Sequence, residues 1–246
     1  MGAKSYWSAT KKCLQAIEND YETIKETAKV LHEVVRSGDR IFVFGCAHSV
    51  MLAEEVMYRA GGLALWNPIH APGLKMDIRP ISYTTAIERL EGYGDTIVEK
   101  EGLQEGDALV LVSTSGRNPV PVDVALAAKE RGVKVIALTS LEYSKNVDSR
   151  HSSGKKVYEI ADLVLDNQAP EGDAVGQLTG KDYQFGGVSL ITGTYILHAI
   201  EGEIAELMID EGEEPPIFLS SNLPDGVGDK HNKRLFEQYG DQILYD

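Results

Sequence analysis

The sequence predicts an α/β fold built on a doubly wound, five-stranded parallel sheet with the flavodoxin-like strand order 2-1-3-4-5. Short, nearly continuous apolar runs alternate with segments of helical periodicity, a pattern typical of parallel strands that helices cover on both faces. The chain has 246 residues, 43% of them hydrophobic, which is enough to bury such a core without disulfides. We expect an N-terminal helix before the sheet, and a long helix and an irregular tail after it.

The N-terminal part of the chain contributes one helix and the first two strands. Apolar residues recur at spacings of three and four through residues 6–36, which predicts a single helix. Ser37-Gly38-Asp39 ends this helix, because glycine favours a turn at a helix end. In order, we predict a helix over 6–36, a strand over 40–44, a helix over 49–60, a short apolar strand over 63–66 and a loop over 67–81.

The C-terminal part repeats the alternation more regularly. Apolar runs at 108–113, 134–140 and 162–166 predict the remaining three strands. The polar, glycine-rich residues 167–187 are a predicted loop, and the tail from Pro215 is predicted to be mostly irregular with a short terminal helix. The predicted helices cover 82–100, with a break near Gly92-Tyr93-Gly94, then 120–132 and 188–211. The chain is thus predicted to consist of an N-terminal helix (1–36), a main domain (37–211) and a C-terminal tail (212–246).

The net charge of the chain limits the classes of molecule that it is expected to bind. The formal net charge is −14, whereas proteins that bind nucleic acids or anionic membranes usually carry a basic surface, so neither partner is expected. No apolar signal segment begins the chain, and no run approaches the roughly 18 apolar residues of a membrane span, which predicts a cytoplasmic protein. Cys13 and Cys46 form no CxxC pair, so a disulfide framework or thiolate metal site is not expected.

Two polar loops follow neighbouring strands of the predicted sheet. Residues 45–49, GCAHS, follow strand one, and residues 113–118, STSGRN, follow strand three. In the order 2-1-3-4-5 these strands are adjacent, and ligands bind beyond their carboxyl ends. The hydroxyls, together with free N–H groups at the start of the helix that Pro119 opens, would bind a small anion. The alternative is that these serines are ordinary helix caps.

The motifs of three other ligand-binding classes are absent. GCAHS lacks the full GxGxxG fingerprint of dinucleotide-binding proteins, and the chain contains neither the GxxxxGK[ST] phosphate loop nor the GxSxG nucleophile turn. We therefore expect no nicotinamide or other organic cofactor.

The loop motifs together resemble the SIS, or sugar isomerase, phosphosugar-binding domain. The resemblance covers about residues 10–210 and rests on GCAHS, on STSG and on Thr139-Ser140 after strand four. STSG is also similar to the phosphate loop of phosphoheptose isomerases. Four further motifs resemble one group of SIS proteins and lie at Ala53–Gly62, Glu88–Tyr93, Arg150–Lys155 and Asp225–Asn232.

This resemblance implies a phosphosugar ligand, and a homodimer or higher homo-oligomer whose active sites are completed across subunits. It implies phosphate contacts from the hydroxyls of both loops and from Asn118, which stands where some relatives carry a threonine. An imidazolium at His48, inside the first loop, would pair with the same anion. The predicted binding residues are Gly45, His48, Ser49, Ser113, Thr114, Ser115, Gly116, Asn118, Thr139 and Ser140.

Aldose–ketose isomerisation needs a base that moves a proton between C1 and C2 of the sugar. Glu54 and Glu55 lie on the helix after GCAHS, and phosphoheptose isomerases carry a similar pair about one turn further along. Glu55 is the first candidate base and Glu54 the second, the alternative being a solvated helix face. Glu88 and Glu91 form another candidate pair, since two carboxylates serve the related N-acetylmuramic acid 6-phosphate etherases; they also suit an ordinary helix surface.

Glu201 and His231 complete the set of catalytic candidates, and His198 is considered together with Glu201. Glu201 stands where the isomerase domain of glucosamine-6-phosphate synthase has a similar glutamate, and His198 lies on the same helix face. Ala205 and Met208 replace the functional lysine and glutamate of that synthase, so its mechanism does not transfer whole. His198 and Glu201 could share a zinc ion, but a hydrogen-bonded histidine is favoured and no metal is predicted. His231, in the polar tail, could reach a neighbour's site or be an ordinary surface residue.

The sequence thus favours a phosphosugar aldose–ketose isomerase. The alternatives are a lyase that acts on an N-acetylated amino-sugar phosphate and a non-catalytic sensor that binds a phosphosugar. A sensor would keep the two serine loops but tolerate the loss of Glu55, Glu88 and Glu201.

Overall fold

The computed structural model describes residues 2–245 and contains the predicted five-stranded, all-parallel sheet. Its strand order is β2-β1-β3-β4-β5, which confirms the order expected from the sequence. Ile41 at the start of β1 lies opposite Trp66 in β2 and Ala108 in β3, so the carboxyl ends of neighbouring strands meet at one edge. The strands are β1 (Ile41–Gly45), β2 (Trp66–Pro68), β3 (Ala108–Val112), β4 (Lys134–Thr139) and β5 (Leu163–Asp166).

Helices cover both faces of the sheet and create two hydrophobic cores. Ile41 and Val43 of β1 contribute to one core, whereas Phe42 and Phe44 contribute to the other, because successive side chains of a strand point to opposite faces. Helices α2, α3 and α9 cover the first face, and α5, α6 and α8 cover the second. The helices of residues 2–210 are α1 (Gly2–Asn19), α2 (Tyr21–Arg36), α3 (Val50–Val56), α4 (Ser82–Ile87), α5 (Tyr93–Lys100), α6 (Pro119–Glu130), α7 (Leu141–Asn146), α8 (Val157–Ile160) and α9 (Ser189–Asp210).

The N-terminal segment forms two helices where the sequence predicts one. The break lies at Asp20, whose backbone carbonyl accepts from Thr23 N–H at 3.3 Å and whose carboxylate accepts from the Thr23 hydroxyl at 3.2 Å. Asn19 and Asp20 are weak helix formers because their side chains compete for backbone groups. Helix α3 is also shorter than predicted, since the chain becomes extended at Met57 and left-handed at Tyr58.

The segment 167–187 contains an antiparallel hairpin, although the sequence predicts only a loop. Its strands are β6 (Ala174–Gln177) and β7 (Gln184–Gly187), and they are not part of the main sheet. Helix α1 packs on this hairpin: the Tyr6 ring stacks on Phe185, and its hydroxyl donates to the Gly187 carbonyl at 2.8 Å. The hairpin is stabilised by packing against α1 rather than by an apolar face of its own, so the spacing of apolar residues in the sequence did not predict it.

The C-terminal tail is more ordered than predicted. It carries the 13-residue helix α10 (Val227–Tyr239), and the backbone of Phe218 exchanges hydrogen bonds with Gly61 and Gly62 at 2.8 and 3.0 Å. Phe218 is 1% exposed, so the tail is part of the first core. No helix within residues 2–245 is long and apolar enough to cross a lipid bilayer.

Candidate functional site

The loop after β1 (residues 45–49, the β1 loop) turns sharply into α3. A Cβ atom on Gly45 would lie 2.6 Å from the backbone carbonyl of Ser49, so only glycine allows this turn. The Ala47 N–H donates to the Leu74 carbonyl at 2.8 Å and fixes the loop from outside. This geometry places His48 and Ser49 at the carboxyl edge of the sheet, as the sequence predicts.

The loop after β3 (residues 113–118, the β3 loop) presents a row of unpaired backbone donors. The N–H groups of Thr114–Asn118 donate to no acceptor within residues 2–245, and we call them the amide cradle. Gly116 has φ +59°, a left-handed conformation that curves the loop. Successive free N–H groups in such a curve form a concave site of positive potential that suits an anion.

The start of α6 does not supply the free N–H groups expected from the sequence. Pro119 and Pro121 have no N–H, and the Val120 N–H donates to the Glu88 carbonyl at 3.1 Å. The expectation of a helix N-terminus with free donors was therefore wrong for this helix. The donors belong to the β3 loop that precedes it.

A cavity of about 300 Å³ lies between the two loops and the start of α9. Sequence reasoning predicted three of its eight lining residues and missed five, among them Asp173, which precedes β6 in the predicted loop. The Asp173 carboxylate accepts from the Ser189 N–H and hydroxyl, both at 2.8 Å, and so fixes the first turn of α9. The lining residues are His48, Ser49, Leu52, Thr114, Asp173, Gly187, Ser189 and Leu190.

Several predicted binding side chains are already engaged inside the protein. The buried Thr139 hydroxyl donates to the Ser113 carbonyl at 2.7 Å, and the buried Ser140 hydroxyl donates to the Ala169 carbonyl at 2.5 Å. The Asn118 side chain accepts from Arg150 at 2.8 Å and hydrogen-bonds Glu88. Thr139 and Asn118 thus brace the β3 loop, whereas the Ser140 hydroxyl bonds residues outside it. Ser113 is buried at its start, whereas Thr114 and Ser115 are partly exposed.

A second cavity, of about 610 Å³, adjoins the first at Leu190 and runs between α3 and α9. We call the two together the α3–α9 groove. Glu54 and Glu55 line it but face different partners: Glu54 pairs with Lys75 at 2.6 Å, and Glu55 pairs with Arg59 at 2.5 Å. The two adjacent carboxylates are therefore in distinct environments.

His198 lies between two carboxylates beside this groove. Its Nδ1–H donates to Glu201 at 2.5 Å, and its Nε2 lies 3.5 Å from Glu55 Oε1. Glu201 is 4% exposed and also accepts from the Trp66 indole N–H at 2.9 Å. The hydrogen bond that His198 donates to Glu201 raises the pKa of His198, although burial opposes this shift. The line Glu201–His198–Glu55 is suited to proton transfer.

The remaining catalytic candidates lie elsewhere. Glu88 and Glu91 do not form a pair, since Glu88 hydrogen-bonds Asn118 and Glu91 accepts from the Ser152 N–H at 2.7 Å. Burial raises the pKa of Glu88. His231 lines neither cavity of the groove; its Nε2–H donates to the Ile217 carbonyl at 2.9 Å, within the tail. Within residues 2–245, no three His, Cys, Asp or Glu side chains are grouped to hold a metal ion.

Comparison with known proteins places the chain among SIS-domain proteins. The family model described as the SIS domain matches residues 5–140. A UPF0309 protein of Oceanobacillus iheyensis is 44% identical over 243 residues, which cover 98% of each chain. Phosphoheptose isomerases from Neisseria gonorrhoeae and Francisella tularensis are similar in fold, with TM-scores of 0.53 and 0.55 and identities of 19% and 17%. The match covers 83% of this chain in both cases, and 97% and 96% of theirs.

Proposed function

Because this chain belongs to the SIS-domain family, and to the UPF0309 proteins within it, we propose that it binds a phosphorylated sugar and interconverts its aldose and ketose forms. One observation carries the proposal: the α3–α9 groove has free backbone amides near one end and the line Glu201–His198–Glu55 along its side. An anion site and an acid–base pair on one groove are the two requirements of such an isomerase.

The phosphate group would occupy the amide cradle. A protein with a net charge of −14 repels anions over most of its surface, so a local set of donors has to hold the phosphate. Backbone N–H groups at Thr114–Asn118 meet this need without a cation, and the hydroxyls of Ser49, Thr114 and Ser115 add donors.

The spacing along α3 leaves room for a sugar between the phosphate and the acid–base pair. Ser49 and Glu55 are six residues apart on one helical segment, which corresponds to about 9 Å along its axis. A phosphate beside Ser49 therefore directs the far end of an extended sugar chain along α3 towards Glu55 and His198.

Glu55 is the proposed base. Its carboxylate would take the proton from C2 of the aldose and return it to C1, through an enediol. The Arg59 guanidinium pairs with this carboxylate at 2.5 Å and holds it beside the groove. His198, held as an imidazolium by Glu201, would give a proton to the carbonyl oxygen as the enediol forms. Glu201 acts through His198 and is a positioning residue.

Binding is tested by thermal unfolding with a panel of sugar phosphates, free sugars and inorganic phosphate. Sedoheptulose 7-phosphate comes first, because two solved proteins of this fold are phosphoheptose isomerases. A ligand at 100 times its Kd should add about 2.7 kcal/mol of stability. The shift should be reduced in Ser113→Ala/Ser115→Ala, which removes the Ser115 hydroxyl but leaves the backbone amides, and should persist in Ser82→Ala/Ser221→Ala, two exposed serines outside the groove.

Catalysis is tested by following the ligand found in that panel in deuterated water by NMR. We expect deuterium at C1 or C2 with the wild type, and at least about a 100-fold slower exchange with Glu55→Gln. Glu54→Gln, the neighbouring carboxylate paired with Lys75, is the matched control and should retain most of the rate. Binding without exchange in the wild type would replace the isomerase proposal by that of a sensor, and no binding at all would refute both.

A further inference from the structure

Three segments meet at the start of α6, on the face of the sheet opposite the α3–α9 groove. The Glu88 carbonyl accepts from the Val120 N–H, which brings residues 88–92 to the first turn of α6. The Arg150 N–H donates to the Arg117 carbonyl at 2.9 Å, which brings residues 148–155 to the β3 loop. The segment 148–155 therefore contacts the Arg117–Asn118 end of the β3 loop, whereas Thr114, near the start of the loop, lines the groove.

A buried carboxylate holds the two outer segments together. Asp123 of α6 is 5% exposed and accepts from the Gly92 N–H at 2.7 Å and from His151 Nε2–H at 2.8 Å. Glu91 accepts from the Ser152 N–H, which adds a direct contact between the segments. These contacts do not use the arginine side chains, although one further contact does, since the Arg150 guanidinium donates to the Asn118 side-chain oxygen at 2.8 Å.

Each of the three segments contributes one arginine, and these are Arg89, Arg117 and Arg150, the arginine cluster. Within residues 2–245, none of the three lies within 4.0 Å of a carboxylate oxygen, whereas Arg36, Arg40 and Arg59 all form such ion pairs. The Nε of Arg117 is buried and has no hydrogen-bond partner. A buried donor without a partner is costly and indicates a missing acceptor.

The positive charge of the cluster is only partly compensated. Burial lowers the pKa of Arg150, and the neighbouring guanidinium groups of Arg117 and Arg89 lower it further. Glu88 lies near Arg89 and Arg150, but its carboxyl is held by Asn118, and burial raises its pKa. In a protein of net charge −14, three neighbouring guanidinium groups without ion pairs are a local concentration of positive charge that would attract an anion.

We propose that Arg89, Arg117 and Arg150 bind a second anionic group, a phosphoryl or carboxylate group, at a site separate from the amide cradle. This inference does not require the isomerase reaction. The anion has two possible sources: the far end of a doubly anionic sugar ligand, or a small anion that binds independently. Either source would complete the hydrogen bonding of Arg117.

The test is calorimetric titration of the full chain with inorganic phosphate, fructose 6-phosphate and fructose 1,6-bisphosphate. The variant is Arg89→Gln/Arg150→Gln, which leaves the β3 loop sequence intact but removes the hydrogen bond from Arg150 to Asn118; Arg89→Gln alone keeps that bond and is measured beside it. Arg36→Gln, an arginine at the end of α2 and the opposite edge of the sheet, is the matched control. Arg150→Lys separates charge from guanidinium geometry, since lysine cannot form a bidentate contact. Circular dichroism checks that each variant is folded.

We expect two phosphate sites in the wild type and in Arg36→Gln. In Arg89→Gln/Arg150→Gln we expect to detect one site, because the affinity of the other falls by about tenfold or more. If the wild type binds fructose 1,6-bisphosphate more tightly than fructose 6-phosphate and the variant does not, the second anion is the far end of one ligand. If the wild type binds both sugars equally, or binds neither of them, the second anion is a separate small anion. Unchanged phosphate stoichiometry and affinity in the folded variant would overturn the proposal. Ser113→Ala/Ser115→Ala should keep the arginine site, so a failure of the proposed function is distinguishable.

Discussion

At the scale of single residues, His198 shows how a neighbour sets the chemistry of a side chain. The sequence favoured a merely hydrogen-bonded histidine, and the structure does pair its Nδ1 with Glu201. Its other ring nitrogen, however, faces Glu55 beside the groove, and about a third of the side chain is exposed. The hydrogen bond to Glu201 thus fixes the orientation of the imidazole beside Glu55, which the proposed proton transfer requires.

The pKa of His198 gives a direct test of this pairing. Because Glu201 stabilises the imidazolium, NMR titration of the ring should give a pKa above the ordinary value of 6.5 in the wild type. Glu201→Gln should bring the pKa back towards or below that value, since burial alone lowers it. The stability from this pair is full below about pH 6.5 and is lost as the pH rises through the raised pKa. An unshifted pKa in the wild type would contradict the pairing.

Gly116 allows the conformation of the β3 loop to be tested against a matched glycine. An alanine at Gly116 would adopt φ +59° and place its Cβ 2.9 Å from the Ser144 hydroxyl. Gly154, with φ +70°, has nothing within 4 Å of such a Cβ. Both Gly→Ala variants should lose about 1–2 kcal/mol of stability in urea unfolding, because both positions are left-handed.

Only the Gly116→Ala variant should also lose phosphosugar affinity, by about tenfold or more, because its loop must shift. Isothermal titration measures both variants alongside the wild type. Equal affinity in the two variants would mean that the β3 loop does not hold the ligand.

Residues in motifs were predictable, whereas residues defined by tertiary contacts were not. Ser49, Thr114 and Glu55 follow strands or lie on a helix whose positions the apolar pattern fixes, and all three line the groove. Asp173 lies in a polar segment without periodicity, so nothing local indicates that its carboxylate binds the start of α9. The prolines of α6 were visible, but the Glu88 carbonyl that pairs with Val120 was not.

At the scale of elements, the tail is the clearest difference between sequence and structure. Its aromatic residues are separated by glycines, prolines and charges, so no helical or strand period is visible before residue 227. In the structure, Phe218 and Phe236 form an aromatic cluster with Tyr58, with ring centroids 5.0 to 5.8 Å apart. The tail therefore covers the end of α3, next to the groove.

The contribution of the tail to stability can be measured with one substitution. Phe218→Ala should lower the free energy of unfolding by about 3–5 kcal/mol, because it leaves a cavity in the first core. Leu244→Ala, at an apolar tail residue that is half exposed, should change it by less than about 0.5 kcal/mol. Urea denaturation followed by circular dichroism compares the two. A small effect of Phe218→Ala would mean that the tail is dispensable for folding.

At the scale of the whole molecule, the fold was predictable because the strands are buried on both faces. β1 and β3 are completely buried, so their apolar runs are continuous and visible in the sequence. β2 was placed only approximately, at 63–66 instead of Trp66–Pro68, since it is short and begins at the last residue of the predicted run. The division into segments ending at residues 36 and 211 stays a prediction.

We propose that the chain forms a homodimer or higher homo-oligomer over the open side of the groove. Met51, Leu190 and Ile191 line that side and are each about 40% exposed, a set of apolar residues typical of an interface. Ile191→Glu should then give a smaller species in size-exclusion chromatography with light scattering. Ile209→Glu, at the far end of the same helix, should leave the wild-type assembly intact. A monomeric wild type would refute this proposal.

The two prolines of α6 have a consequence for hydrogen exchange. They remove two helix amides from the first turn of α6, so the free amide protons at this point are those of Thr114–Asn118, which donate to no acceptor within residues 2–245. In deuterated water these five protons should exchange almost as fast as in an unstructured peptide, inside a domain whose neighbouring strands exchange slowly. An anion bound there would slow the exchange of these amide protons, whether or not a reaction follows. Hydrogen exchange of the β3 loop, followed by mass spectrometry, would therefore report whether any ligand is bound there, including one that is not a substrate.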